Sequence, residues 1–233
     1  TTIQSRSSDT LLRVIPWNGL IWYFATSSIE VYTDAGASIA APAFPYARST
    51  VIDRGIVGPW AVTGYQDGFG KLYWAADDFG VYRMNNFTPE KISPPDLDRL
   101  IEAQAKIDNT MIEMGCYVHA GHSFVYVSVP GSTWEFNLGT QQWNERLSTL
   151  SGLLQQWRGK GGVYAFGKWR LASTITSDMV TIDDTSYKEE RAGQCVPKSN
   201  ARRSGRFQFR HGTGHTGWFG KRAAAAVLDF LVG

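Results

Sequence analysis

Short apolar runs broken by turn-forming residues recur along this chain, and the densest series spans residues 122–148, HSFVYVSVPGSTWEFNLGTQQWNERLS. The pattern predicts a strand over Phe124–Val129, a turn at Pro130–Ser132, a strand over Thr133–Phe136, a turn at Asn137–Thr140 and a third segment over Trp143–Leu147. Three consecutive segments with such short connections form an antiparallel meander.

The same grammar occurs elsewhere. WYFATSSIEVYT (Trp22–Thr33) lies over LYWAADDFGVYR (Leu72–Arg83): large apolar residues, then small polar turn residues, then a Val-Tyr strand. A third copy, FVYVSVPGSTWEFN, puts Phe136 where Tyr32 and Tyr82 stand, and a weaker fourth, WRLASTITSDMVTID (Trp169–Asp183), puts Ile182 there. The spacings of 50, 54 and 46 residues fall in the range of propeller blades, small antiparallel sheets that must stack on neighbours to bury both faces. The expectation is an all-β fold, a β-propeller or an arc of one with about four blade-like repeats.

The intervening segments should supply outer strands and connections. Residues 1–19 are polar and then apolar from Leu11, consistent with a frayed start and one short strand; they begin without Met, as a fragment or processed chain would. Pro42, Pro45 and Pro59 forbid a continuous central strand between residues 36 and 65, leaving Val51-Ile52 and Trp60–Tyr65 as short ones. One helix is expected near 95–105. Ser93 is placed as its cap, Pro94 and Pro95 in its first turn, Asp96 and Asp98 early, and Leu97, Leu100 and Ile101 on one face. Strand character resumes over Met111–Val118.

Composition sharpens this picture. With 43% hydrophobic residues in 233, the chain can bury a substantial core, and 9 Trp, 10 Tyr and 12 Phe beside 24 Gly favour strands joined by turns. The net charge of +2 hides an asymmetry: residues 1–190 carry 15 basic and 20 acidic side chains, residues 191–233 carry 8 and 1. The chain therefore divides into a propeller-like region, 1–190, and a basic Gly/Arg-rich tail, 191–233, which is either a disordered tail or the product of a changed reading frame. Cys116 and Cys195 belong to no C-x-x-C pair and are expected as free thiols. The apolar run Ala223–Val232 is shorter than the ~20 residues of a spanning helix, so no membrane association is expected.

Candidate chemistry is sparse. His119 and His122 in HAGH, taken along one strand, point to opposite faces, and no further ligands cluster nearby, so a structural role beside a Gly turn is expected rather than a metal site. GTGHTGWFGKR (Gly212–Arg222) has the wrong spacing for a phosphate loop and lacks its Ser/Thr hydroxyl. Asp78-Phe79-Gly80 reads as a hairpin turn. Gly131-x-Thr133-Trp134 echoes the end of a sialidase Asp-box, with Val129 and Val127 where the Asp and Ser would stand. This keeps a glycan-binding or sialidase-like propeller as the alternative. Glycoside hydrolysis would need two facing carboxylates, and spacing singles out no pair among Asp53, Asp67, Glu113 and Glu135. Arg202, Arg203, Arg206 and Arg210, interleaved with Phe207 and Phe209, suit non-specific attraction to polyanions.

Several stretches carry a resemblance. The Gly121-His122-x-Phe124 strand, Thr133-Trp134-Glu135-Phe136 and Trp143-x-Glu145-Arg146 resemble segments of the phage stabilisation protein family. So do Ser28-Ile29-Glu30-Val31-Tyr32, the region Val51–Gly55 with Gly58-Pro59-Trp60, the pair Leu72-Tyr73-Trp74 and Val81-Tyr82-Arg83, and Lys91-Ile92-Ser93 before the helix. The likeness covers about Ile21–Tyr187, and family members are longer at both ends. It implies a non-enzymatic virion protein of the tail or neck, made in the bacterial host cytoplasm, with no cofactor and no metal. Copies would form a ring below the portal, bind the portal or head-to-tail adaptor protein and the tail needle, and retain packaged DNA without sequence-specific contacts. A few aromatic and Arg side chains usually dominate such contacts, and Trp134, Trp143, Arg146, Trp157 and Tyr46 are the candidates. The same five also suit packing within and between blades.

Overall fold

The computed structural model describes residues 9–34, 46–150, 153–175 and 178–183, together with the backbone of 190–191, 194–195 and 227–230. Within these residues the fold is all-β with one helix, laid out as four-stranded antiparallel sheets in chain order. The first sheet holds β1 (Leu11–Trp17), β2 (Leu20–Ala25), β3 (Ile29–Asp34) and β4 (Tyr46–Ile52). The second holds β5 (Val62–Thr63), β6 (Tyr73–Ala75), β7 (Val81–Asn85) and β8 (Thr88–Lys91). Helix α1 (Pro95–Asp108) and a 3₁₀ turn (Asn109–Met111) lead to the third: β9 (Glu113–His119), β10 (His122–Val129), β11 (Ser132–Asn137) and β12 (Gln142–Glu145). A hairpin, β13 (Leu147–Leu150) and β14 (Leu153–Gln156), precedes β15 (Gly159–Ala165), β16 (Lys168–Ser173) and β17 (Met179–Asp183). After the two-residue pair β18 (Glu190–Arg191) and β19 (Gln194–Cys195), β20 (Val227–Phe230) completes the fourth sheet beside β17. Each sheet is an open strip. The rest of the expected basic tail lies outside the described residues.

Each of the four sequence repeats falls on the second and third strands of one sheet. In the first three sheets these inner strands are largely buried, and Trp22, Phe24, Val31, Trp74, Val81, Val125 and Val127 are shielded from solvent, whereas in the fourth Lys168, Ala172 and Met179 are exposed. The first hairpins of three sheets use one device: Asn18-Gly19, Ala120-Gly121 and Phe166-Gly167 place two successive residues at positive φ, the two-residue turn whose twist matches that of its flanking strands.

The sheets meet through their first strands, β5 lying against β9 and β9 against β15. Side chains stitch these seams. Arg13 of β1 donates to Tyr65 Oη at 2.8 Å and to the Pro59 carbonyl at 3.1 Å, with its guanidinium over the rings of Trp60 and Tyr65. Cys116 Sγ donates to Gln66 Oε1 at 3.1 Å, and burial pushes this free thiol up to about 11. Glu113 pairs with Lys160 at 2.8 Å and accepts from the Gly161 N–H at 3.1 Å. One large core runs through the first three sheets and α1, and a smaller cluster of Tyr117, Tyr126, Trp157, Leu171 and Val180 joins the third to the fourth.

At the β9–β15 seam, backbone meets backbone. A Cβ on Gly162 would lie 1.8 Å from the Cys116 carbonyl oxygen, so any side chain pushes the two strands apart. Gly162→Ala is expected to destabilise the protein by about 1–3 kcal/mol, as overpacking does. Gly70→Ala, with nothing within 4 Å of the added carbon, should stay within about 0.5 kcal/mol. Urea unfolding of the two variants side by side checks the contrast.

Several expectations need correction. Ser93 is not the helix cap: Pro94 occupies that position without a side-chain cap bond, and the Ser93 hydroxyl instead accepts from Val81 N–H and bonds Asp98. The helix runs to Asp108, and while Leu97 and Ile101 face the core, Leu100 faces outward. The strand expected over Trp60–Tyr65 is only Val62–Thr63. His119 and His122 do not lie on one strand: the Ala120-Gly121 turn makes them direct cross-strand partners, which share a face. Asp78-Phe79-Gly80 is the expected turn, with Asp78 accepting from the Gly80 N–H.

Candidate functional site

Three of the sheets carry the same small chemistry, a tyrosine hydroxyl and an arginine converging on one carboxylate. In the first, Tyr32 donates to Glu30 at 2.8 Å and Arg48 approaches it at 3.6 Å. In the second, Tyr82 donates to Asp78 at 2.6 Å and Arg54 lies 3.2 Å from it. Burial pushes the Asp78 carboxyl up, but the bonds from Tyr82 and Gly80 and the Arg54 charge outweigh it and hold it below the usual value. In the third, Tyr117 donates to Glu135, and Arg146 lies 3.7 Å from the same oxygen.

That third knot gathers two of the five sequence candidates. The Arg146 guanidinium sits 5.6 Å over the ring of Trp157, and Trp157 packs on Tyr117 and edge-on against Tyr126 at 5.1 Å. Trp157 is only 2% exposed, so within this chain it is a packing residue between the third and fourth sheets. Trp143 is half-buried on β12, its ring tilted 41° to that of Phe136 at 5.1 Å, and its indole N–H donates to the Ile92 carbonyl at 2.8 Å, tying the third sheet to the second. Trp134 is half-buried on β11 between Val127 and Glu145 of the neighbouring strands. Tyr46 opens β4, half-buried and far from the other four in the topology.

The exposed apolar surface lies elsewhere. Leu153 and Leu154 project from β14, Ile107 and Met111 from the helix end, and Val163, Tyr164 and Phe166 from the first hairpin of the fourth sheet. A signal for the last was present in the sequence: Phe166 occupies the first place of an X-Gly hairpin turn, where Asn is favoured, and is 88% exposed there at φ 54°.

Among the described residues, cavities open on the surface. One of about 360 Å³ sits between the β9–β10 turn and the fourth sheet, lined by Val118, His119, Tyr164, Lys168, Trp169 and Ile182 among others. Another, about 380 Å³, lies at the seam of the first two sheets beside Asp53, Arg54, Tyr82 and Phe87. Neither of the two is lined by a pair of carboxylates. Of the four carboxylates weighed from the sequence, Glu113 is paired with Lys160 and Glu135 is buried in its knot, while Asp53 and Asp67 are exposed on separate segments. Among the described residues no three potential metal ligands cluster, and no helix is long and apolar enough to cross a membrane.

The model of the family described as "Bacteriophage P22 Gp10, beta-propeller" matches residues 3–187 of the chain. No curated protein matches it.

Proposed function

The chain belongs to this phage stabilisation family, and on that footing we propose that it is a tail hub or head-to-tail connector that closes the portal and retains packaged DNA. The observation that carries the reading is the extent of the match, which takes in the first three sheets whole and β15–β17 of the fourth. In this reading the sheets are propeller blades with β5, β9 and β15 nearest the axis, and copies assemble in a ring that contacts the portal or adaptor and the tail needle. The work is done by buried interface rather than by lowering a reaction barrier. Trp134, Trp143 and Tyr46, each half-buried, contribute to partner contacts at the rim of their packing sites, and Arg146 acts by holding the third sheet in shape.

The test is negative-stain imaging with mass analysis of the full-length gene product mixed with its portal and adaptor. Rings docked at the portal exit are expected. A monomer that ignores both partners would overturn the proposal.

A further inference from the structure

The turn between β9 and β10 sets two imidazoles side by side, and we propose that His119 and His122 bind one divalent transition-metal ion of the zinc class between them. With Ala120 and Gly121 both at positive φ, the chain reverses in two residues, and His119 and His122 become direct partners in the register of the two strands. Along one continuous strand a spacing of three puts two rings on opposite faces; the reversal at Ala120-Gly121 puts these on the same one. Directly opposed residues hold their Cβ atoms about 4.5–5.5 Å apart. That is close to the ~5–6 Å between residues four apart on a helix, the spacing at which a His-x-x-x-His pair chelates zinc.

The ladder below the pair fixes its face. The next partners along that face are Tyr117 and Phe124, stacked with their centroids 5.2 Å apart, and the His122 ring lies 6.4 Å from that of Phe124. His122 is exposed, and His119 is half-buried in the wall of the cavity of about 360 Å³, so an ion reaches both from solvent. The described wall of that cavity holds no carboxylate and one ammonium, that of Lys168.

This donor set decides the ion. Two neutral imidazoles without anionic oxygens suit zinc, nickel or copper, whereas magnesium and calcium require oxygen ligands. Water completes the shell, so the site is an open one rather than a closed structural cage. A single imidazole holds such an ion weakly. The two-residue turn makes the second bond intramolecular, so the pair outweighs one histidine by about 100-fold. Because the unfolded chain lacks this arrangement, the bound ion also clamps the two ends of the turn and stabilises the fold by mass action.

Isothermal titration calorimetry tests the site on the chain carrying His211→Ala and His215→Ala, which leaves His119 and His122 as the histidines of this sequence. Zinc chloride and nickel chloride at neutral pH are expected to bind with one ion per chain, and magnesium and calcium chloride to give no binding heat. In that background His119→Ala and His122→Ala, each checked for native circular dichroism, should weaken binding by about 100-fold. His122→Ala combined with Ser123→His keeps the number of histidines but moves one ring to the opposite face of β10, and should not restore the affinity. Absence of zinc and nickel binding, binding that survives either single substitution, magnesium or calcium binding at the same positions, or recovery in the shifted variant would each overturn the assignment.

Discussion

Alkaline titration is expected to unfold the protein in a steep transition beginning near pH 10, because its buried phenols resist ionisation that the unfolded chain accepts freely. Tyr126 is held well above its ordinary value by burial and then by the Glu113 carboxylate. Tyr117 is held there by burial, with Glu135 adding to the rise and Arg146 opposing it. Burial and hydrogen bonds to Glu30 and Asp78 push Tyr32 and Tyr82 up to about 12. Below pH 10 these phenols are neutral in both states and their contribution is fully present. Above it, the unfolded chain loses protons that the folded one keeps, so stability falls by about 1.4 kcal/mol per pH unit for each such group until its folded value is reached. With four tyrosines the decline is several kcal/mol across one to two pH units, enough to exhaust the stability of an ordinary domain. Tyrosinate absorbance and far-ultraviolet circular dichroism followed together provide the check. Loss of β signal should coincide with ionisation of the late-titrating phenols. If all 10 tyrosines ionise near pH 10 while the β signal persists, the tyrosine–carboxylate knots are not buried as described.

The middle strands of the first three sheets were legible in the sequence because they are largely buried. Residues such as Trp22, Phe24, Leu72 and Trp74 then form near-continuous apolar runs that repeat from sheet to sheet. Among the fourth strands, β12 was announced by Trp143 and the end of β4 by Val51-Ile52, but β8 (TPEK) and the start of β4 (YARS) were not, since they largely face solvent and carry no period. Ser93 misled for a related reason: it has the residue type of a cap, but the extended Ile92–Pro94 segment is anchored to β7 through Ile92 N–H and the Ser93 hydroxyl, which turns that hydroxyl away from the helix start. Trp157 shows the limit most clearly. A large aromatic in a polar stretch suits an exposed anchor and a buried plug equally, and what settles it is Tyr117 and Tyr126, more than thirty residues away along the chain. The cavity beside Lys168 is assembled from four strands and two turns, so no local pattern announces it.

Removing the carboxylate of Glu135 is expected to have the largest effect of any single substitution in the third sheet. Glu135 is buried on β11 at the meeting of the Tyr117 hydroxyl and the Arg146 guanidinium, whose side chain is only 14% exposed. Glu135→Leu fills the space but leaves a buried cation without its anion and a buried phenol without its acceptor. Breaking a buried pair in this way costs about 3–5 kcal/mol, whereas replacing both partners by apolar groups of similar size is often nearly neutral. The single change should therefore come close to unfolding the domain. Glu135→Leu combined with Arg146→Met should recover much of the loss, while Arg146→Met alone leaves the carboxylate stranded against Tyr117. Guanidinium unfolding of the two singles and the double closes the cycle. Strongly non-additive values, with the double more stable than Glu135→Leu, are expected for residues in direct contact. Additive losses would mean that Glu135 and Arg146 act independently. The knot would then be two separate packing sites, and the hold of β11 on Trp157 and the fourth sheet would have to come from apolar burial alone.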